Sequence, residues 1–399
     1  MAVITGDRAP ERTASATSFL YRPEVRQGIY QAVLVVVLVA VFYMLITNTA
    51  ANLRKQNIAS GFGFIHRTAG FDVSQTLIAY DNSMTYGRVF IVGLLNTLLV
   101  AGFGIVLATV LGFIIGIARL SSNWLVARLA TVYVELIRNV PALLQLFFWY
   151  FAVLKALPLP RQSLALPGGG FLNVRGLYLP APVPQPGFDL VWLALLSAIV
   201  VSVVVALVAR RRQLLTGKRF PVLWTTLGLI TLVPFGAFIV LGRPLSFDYP
   251  ELNGFNFRGG VVLQPEFVAL LLGLSIYTAS FIAEIVRSGI MGVTKGQKEA
   301  ALAIGLSKSQ SLRLVVIPQA MRIIIPPLTS QFLSLTKNSS LGVAIAYPDL
   351  VSVWAGAVLN QTGQAVEVIL VTMIVYLTIS LLTSAFMNWF NRRMALVER

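Results

Sequence analysis

Lys337 lies inside an apolar run, in Leu335-Thr336-Lys337-Asn338-Ser339-Ser340-Leu341-Gly342. An ammonium in hydrocarbon costs a few kcal/mol unless a partner or water meets it. Four polar residues in a row with Gly342 close behind predict a locally broken helix, tolerated only where it faces a cavity or other protein. Asn338, Ser339 and Ser340 would then offer hydrogen bonds to the carboxylate or ammonium of a small solute. The other use of such residues is polar glue between membrane helices. Glu135 with Arg138, and Glu284 with Arg287, stand three apart and are expected to neutralise each other on one helix face. Such pairs either lower the cost of insertion or form a gate that rearranges. Between two apolar runs, residues 289–321 read GIMGVTKGQKEAALAIGLSKSQSLRLVVIPQAM. There Glu299 to Ala303 are strong helix formers, Gly305 is placed to stop them, and Pro318 restricts the chain at the next apolar run. A helix over 297–304 follows, with small Ala300 and Ala301 beside apolar Leu302 and Leu306, as suits a helix seated in another protein's groove.

Other chemistries are poorly served. The chain has no cysteine and one histidine, His66, in a polar connecting segment. That excludes disulfides and thiolate chemistry and disfavours His triads and multi-His metal sites. No GxxxxGK[ST] pattern occurs, and Gly102 and Gly104 have neither a preceding strand nor a following basic residue, so nucleotide is expected on another chain. Gly112 and Gly116 form a G-x-x-x-G that allows close helix contact.

The elements that must hold these residues belong to a membrane. Of the 399 residues 57% are apolar and 12% charged, at a mean hydropathy of +0.80. Runs near the length that crosses hydrocarbon fall at 30–47, 90–118, 126–157, 190–209, 221–241, 267–290, 323–347 and 366–390. The first is expected to be a retained anchor rather than a signal peptide, being long and preceded by a polar stretch. With the N-terminus inside, twenty Lys and Arg fall on the inner side and nine on the outer, which predicts both termini in the cytoplasm. The +16 formal charge is therefore an orientation signal and not a nucleic-acid surface. The outer stretches 158–186 and 243–265 are rich in Gly, Pro and Asn and are predicted as connecting loops, and no internal repeat is evident.

Glu299-Ala300-Ala301, Gly305 six residues on, and Val315, Ile317 and Pro318 beyond it resemble the EAA loop of ABC importer permeases. The resemblance extends to Gly93-Leu94-Leu95-Asn96-Thr97-Leu98, to Tyr133-Val134-Glu135, Arg138-Asn139-Val140-Pro141 and Gln145-Leu146-Phe147, and to Tyr277-Thr278-Ala279 with Glu284-Ile285-Val286-Arg287 and Gly289. These look like permeases for polar amino acids. The extra block and Trp149-Tyr150-Phe151 look like the larger permease subunit of general L-amino acid importers.

The resemblance implies an all-α polytopic membrane protein of about eight helices with the five-helix core of type I importers. The layout would be a cytoplasmic segment (1–29), a first span with external loop (30–88), the opening section of the permease core (89–157), an inserted block with two extra spans (158–264), the closing section of the core with the EAA loop (265–390) and a cytoplasmic tail (391–399). It implies ATPase docking by Gly296, Gln297, Glu299, Ala300, Ala301, Gly305, Leu306 and Pro318. The substrate path would hold Lys337, Asn338, Ser339, Ser340, Tyr277 and Asn96. Implied partners are a cytoplasmic ABC ATPase dimer carrying the ATP and Mg, a second and different permease subunit, a periplasmic amino acid-binding protein and lipid of the bacterial inner membrane. The chain itself would be no enzyme and hold no cofactor or metal. The main rival is an ion-coupled secondary amino acid transporter, which shares polar mid-membrane breaks but needs no EAA loop. A membrane enzyme is disfavoured by the absence of an evident carboxylate cluster, and a scaffold would be indifferent to changes in the polar run.

Overall fold

A computed structural model describes residues 23–55, 60–218 and 220–394. Arg8, Arg12, Arg22, Arg219 and Arg399 of the inner-side tally lie outside the described residues, as do most of 1–29 and the end of the tail. Long apolar stretches leave backbone groups no partner but each other in lipid, so they become helices. They are α1 (Pro23–Lys55), α2 (Tyr86–Ala118), α3 (Trp124–Asn139) with α4 (Ala142–Phe147), α5 (Phe188–Thr216), α6 (Val222–Val240), α7 (Pro265–Met291), α8 (Lys295–Ala303), α9 (Lys308–Ser311), α10 (Ile317–Asn338) and α11 (Ala365–Met394). Among the described residues, seven helical segments are long and apolar enough to cross a membrane, or eight if the bent α3/α4 pair is one span.

The core is built from α2, the α3/α4 pair, α7, α10 and α11. Helix α7 is its centre, with Leu270, Leu274, Ile282 and Val286 fully buried against neighbours that include Leu146, Ile324, Ile325 and Leu335. Contact between α2 and α7 depends on missing side chains. A Cβ on Gly112 would lie 2.5 Å from Ile282 Cγ2, and one on Gly116 would lie 2.7 Å from the Ala283 carbonyl oxygen. Both are closer than real Cβ contacts come, so the G-x-x-x-G is a true contact face. Helix α1 exposes its whole apolar stretch Val25–Thr49, and α5 packs with α6 as a hairpin beside the core.

The sequence-based picture needs three corrections. The stretch 126–157 is not one straight helix. It bends by 106° between α3 and α4, where Pro141 lacks an amide hydrogen and disfavours helix at the residue before it. The Gln145 side chain holds the corner, its Nε2 donating to the Ile137 oxygen at 2.8 Å and the Val140 oxygen at 3.0 Å. The helix expected over 323–347 begins earlier, at Ile317, and stops at Asn338. A 3-10 turn follows over Ser339–Ile345, and Ala346 takes φ 59°. The stretches 158–186 and 243–265, expected as plain loops, form short strands that pair within and between the two stretches. A four-stranded antiparallel sheet runs β1 (Leu164–Leu166), β2 (Gly170–Asn173), β3 (Gly176–Leu179), β8 (Val261–Leu263). Beside it β4 (Ala181–Pro184) pairs with β5 (Leu245–Asp248), and β6 (Glu251–Asn253) with β7 (Asn256–Arg258). The Gly and Asn clusters make the turns, and Phe257 anchors the layer with its ring 4.6 Å from Phe171 and 5.0 Å from Tyr178. Strands of three or four residues are too short for their alternation to be read locally.

Candidate functional site

Helix α7 runs from the strands at its start to α8 at its end, so residues 294–318 form a platform at the end of the core opposite the strands. Helix α8 ends in a Schellman cap: Leu306 N–H donates to the Ala301 oxygen at 3.2 Å and Gly305 N–H to the Leu302 oxygen at 3.0 Å. Gly305 sits at φ +85°, where a side chain is strained. Ser307 then starts α9 with a capping box, its Oγ accepting from Gln310 N–H while Gln310 Oε1 accepts from Ser307 N–H. A π-helical turn, Leu312–Val316, leads into α10 with Pro318 in its first turn. The two helices are tied where Gln319 Nε2 donates to Gln297 Oε1 at 3.1 Å. The platform's helix ends are satisfied locally, and it is tied to α10 by the Gln319–Gln297 bond as well as by the chain.

Its exposed surface mixes apolar residues with the acid Glu299 and the bases Lys295, Lys308 and Arg313. Ile304 is 78% and Leu314 61% exposed, and Leu302, Gly296, Ala300 and Glu299 are exposed too. Glu299 forms no ion pair among the described residues. Ala301 departs from the expected partner contact: it is 3% exposed on a helix that packs against the chain's own π-helical turn, so its small size serves packing within the loop. Leu306 is half-buried. Ile304 and Leu314 were not singled out from the sequence, although apolar residues flanking a cap in a polar loop are the signal that marks them.

The polar run is a helix end. Ser339 is fully buried and its Oγ donates to the Thr336 oxygen at 2.7 Å, while Ser340 Oγ donates to the Lys337 oxygen at 2.7 Å. The break expected at Lys337–Gly342 is therefore present. Lys337 is exposed on the chain's surface and Asn338 half-buried beside it. Asn96 does not join them as a free ligand group. Its Nδ2 donates to the Gln75 and Pro348 oxygens, both at 2.9 Å, and its own backbone oxygen accepts from Tyr347 Oη at 3.1 Å. It is a staple between α2 and the segment after the break. Tyr277 is half-buried on α7 with its ring 5.0 Å from Phe281, and no hydrogen bond joins it to Lys337 among the described residues.

Of the two expected ion pairs one forms. Glu284 receives Arg287 through Nη2 at 2.5 Å and Nε at 3.2 Å. It also receives Arg119 from the end of α2, a partner 165 residues away that spacing could not reveal. Glu135 and Arg138 do not pair. Both are exposed, and the Arg138 guanidinium lies over the Phe281 ring at 5.1 Å, a cation–π contact that replaces the carboxylate.

Asp349 was also missed, though an acid in an apolar run is the same signal that marked Lys337. It is fully buried just after the break, with Oδ1 accepting from Ser352 N–H at 2.8 Å and Oδ2 unpartnered. Burial pushes its carboxyl up to about 7, against the opposing effect of backbone N–H groups at Ser352 and Val351. The native state thus holds a proton that the unfolded chain releases near pH 4. Stability from this group is complete at or below the ordinary carboxylate range and is lost as pH rises to about 7. Replacing Asp349 with Asn, which keeps the acceptor and stays neutral, is expected to flatten that decline, on the order of 4 kcal/mol at full effect. Thermal unfolding of the solubilised protein from pH 5 to 8 checks this; an unchanged slope counts against it.

Residues 104–396 match the family described as the binding-protein-dependent transport system inner membrane component. The chain is 55% identical over 385 residues to the general L-amino acid transport system permease protein AapQ of Rhizobium johnstonii, covering 96% of each chain. It is 41% identical over 421 residues to the glutamate/glutamine/aspartate/asparagine transport system permease protein BztB of Rhodobacter capsulatus, covering 98% of each. A solved amino acid ABC transporter with histidines aligns at 21% identity and a TM-score of 0.46, across 77% of this chain and 95% of that one. A multi-span helical core matched over most of its length by one family, with relatives aligned end to end, has one reading: the chain belongs to the family of binding-protein-dependent transport system inner membrane components.

Proposed function

We propose that this permease carries L-amino acids inward across the bacterial inner membrane as one half of an ATP-driven importer. Both termini would lie in the cytoplasm. The amino acid cargo rests on the names of the relatives, and the inward face on the excess of Lys and Arg at the platform end. The observation that carries the coupling is the platform itself: exposed Leu302, Ile304 and Leu314 together with Glu299, unpaired among the described residues, on a loop closed by its own caps and bonded to α10.

In this reading a dimer of cytoplasmic ATPases, which supply the ATP and Mg, receives the Glu299 face of each of two different permease subunits. Closure of the ATPases moves α8. The Gln297–Gln319 bond and Ala301 packing carry the motion into α10. Helix α10 has 22 residues, about 33 Å of rise, and ends at Asn338, so a tilt at the platform displaces Lys337 and the turn at Ser339–Ile345. That turn would open the path to an amino acid delivered by an external binding protein, and the Glu284 cluster would rearrange as a gate. A secondary carrier has no use for such a platform. Uptake of labelled amino acid is therefore expected to stop within the time of ATP depletion while ion gradients are clamped; uptake that persists overturns the ATP-driven reading.

A further inference from the structure

The α5/α6 hairpin carries more positive charge at its turn than orientation requires. Arg210, Arg211, Arg212, Lys218 and Arg219 fall within ten residues, and no Asp or Glu occurs from Leu190 to Phe247. Arg210, Arg211, Arg212 and Lys218 are exposed and form no ion pair among the described residues. Immediately inside this cationic rim is a cleft of about 250 Å³ lined by Val204, Val205, Val208, Ala209, Arg212 and Phe220. Five of its six lining residues are apolar and the sixth is Arg212. Trp224, 73% exposed at the start of α6, marks the boundary level where amphipathic rings settle.

A cation that only sets topology needs water, not a slot. An apolar slot with one arginine at its mouth has the twofold chemistry of an anionic glycerophospholipid, an acyl chain below and a phosphodiester above. We propose that this cleft binds an anionic phospholipid, the phosphate resting on Arg212 with Arg211 and Lys218 near, and one chain lying along Val204 and Val208. The mouth is at the C-terminal end of α5, where the helix dipole repels an anion. Affinity must therefore come from the basic side chains, so removing one of them should abolish selectivity rather than trim it.

The test is native mass spectrometry of the full chain released from detergent after loading with equimolar dioleoyl phosphatidylglycerol and phosphatidylethanolamine. Phosphatidylglycerol is expected to be retained at least tenfold over phosphatidylethanolamine. Arg212→Gln, which leaves Arg210 and Arg211 to hold orientation, should bring the ratio near one. Val208→Trp keeps every charge and replaces an exposed residue, so it should fold; filling the slot should also remove retained phosphatidylglycerol. Excess inorganic phosphate should not displace the lipid. Equal retention of both lipids, an unchanged ratio in Arg212→Gln, full retention in Val208→Trp, or displacement by phosphate would each overturn the proposal.

Discussion

Glu299→Ala is expected to abolish amino acid uptake and transport-linked ATP hydrolysis while the permease inserts and folds at wild-type yield. Glu299 is exposed and has no ion-pair partner among the described residues, so its removal costs the isolated subunit almost nothing. In the proposed complex its carboxylate is desolvated within the docked face. Loss of such an anchor costs about 2–4 kcal/mol, or roughly 30- to 1,000-fold in ATPase affinity. Gly305→Val should give the same transport defect by another route. A β-branched residue at φ +85° strains the cap that positions Ile304 and Leu306, so the subunit should also lose some thermal stability. Co-purification of the ATPase with each variant, set beside uptake and unfolding temperature, separates the two routes. Wild-type uptake by Glu299→Ala would remove the docking role.

Glu284→Ala is expected to damage the fold itself. Its carboxylate is the partner of both Arg119 and Arg287. The Arg119 side chain is only 9% exposed, against 29% for Arg287, so the guanidinium left behind on α2 cannot recover its charge balance from water. Breaking a buried pair on one side costs about 3–5 kcal/mol, and the partial exposure of Glu284, 25%, places this case towards the lower figure. Unfolding temperature and the yield of inserted protein should both fall. The double variant Arg119→Ala with Glu284→Ala should recover much of the loss, because the charge that remains without a carboxylate, Arg287, is 29% exposed and can be solvated by water. A double variant as poor as the two single losses added together would show that the two residues act independently.

How far the sequence could be read follows from the range of the forces involved. That 57% of residues are apolar, gathered in runs of membrane length, settles that backbone polar groups must bond within helices. The Glu299 to Pro318 stretch was legible for a similar reason: a run of helix formers stopped by a glycine is a local event, and caps operate over a few residues. The break after Lys337 was legible because a charge and three small polar groups are costly in any apolar helix, whatever surrounds them.

Tertiary structure decided the rest. Which face of α8 points outward depends on what packs beneath it; the helix lies against the π-helical turn at Leu312–Val316, and Ala301 is buried. Arg119 reaches Glu284 across 165 residues, and Asn96 reaches Pro348 across 252, distances over which local pattern carries no information. Glu135 and Arg138 had pairing geometry in sequence, yet an aromatic ring brought in by α7 and access to water separated them. The amino-acid sequence by itself determined that this chain is a bundle of membrane helices bearing an exposed, capped loop, because solvation and capping act locally. Which polar groups are staples, which are paired and which are left free was decided only when distant helices met, because burial energy depends on the neighbour that excludes the water.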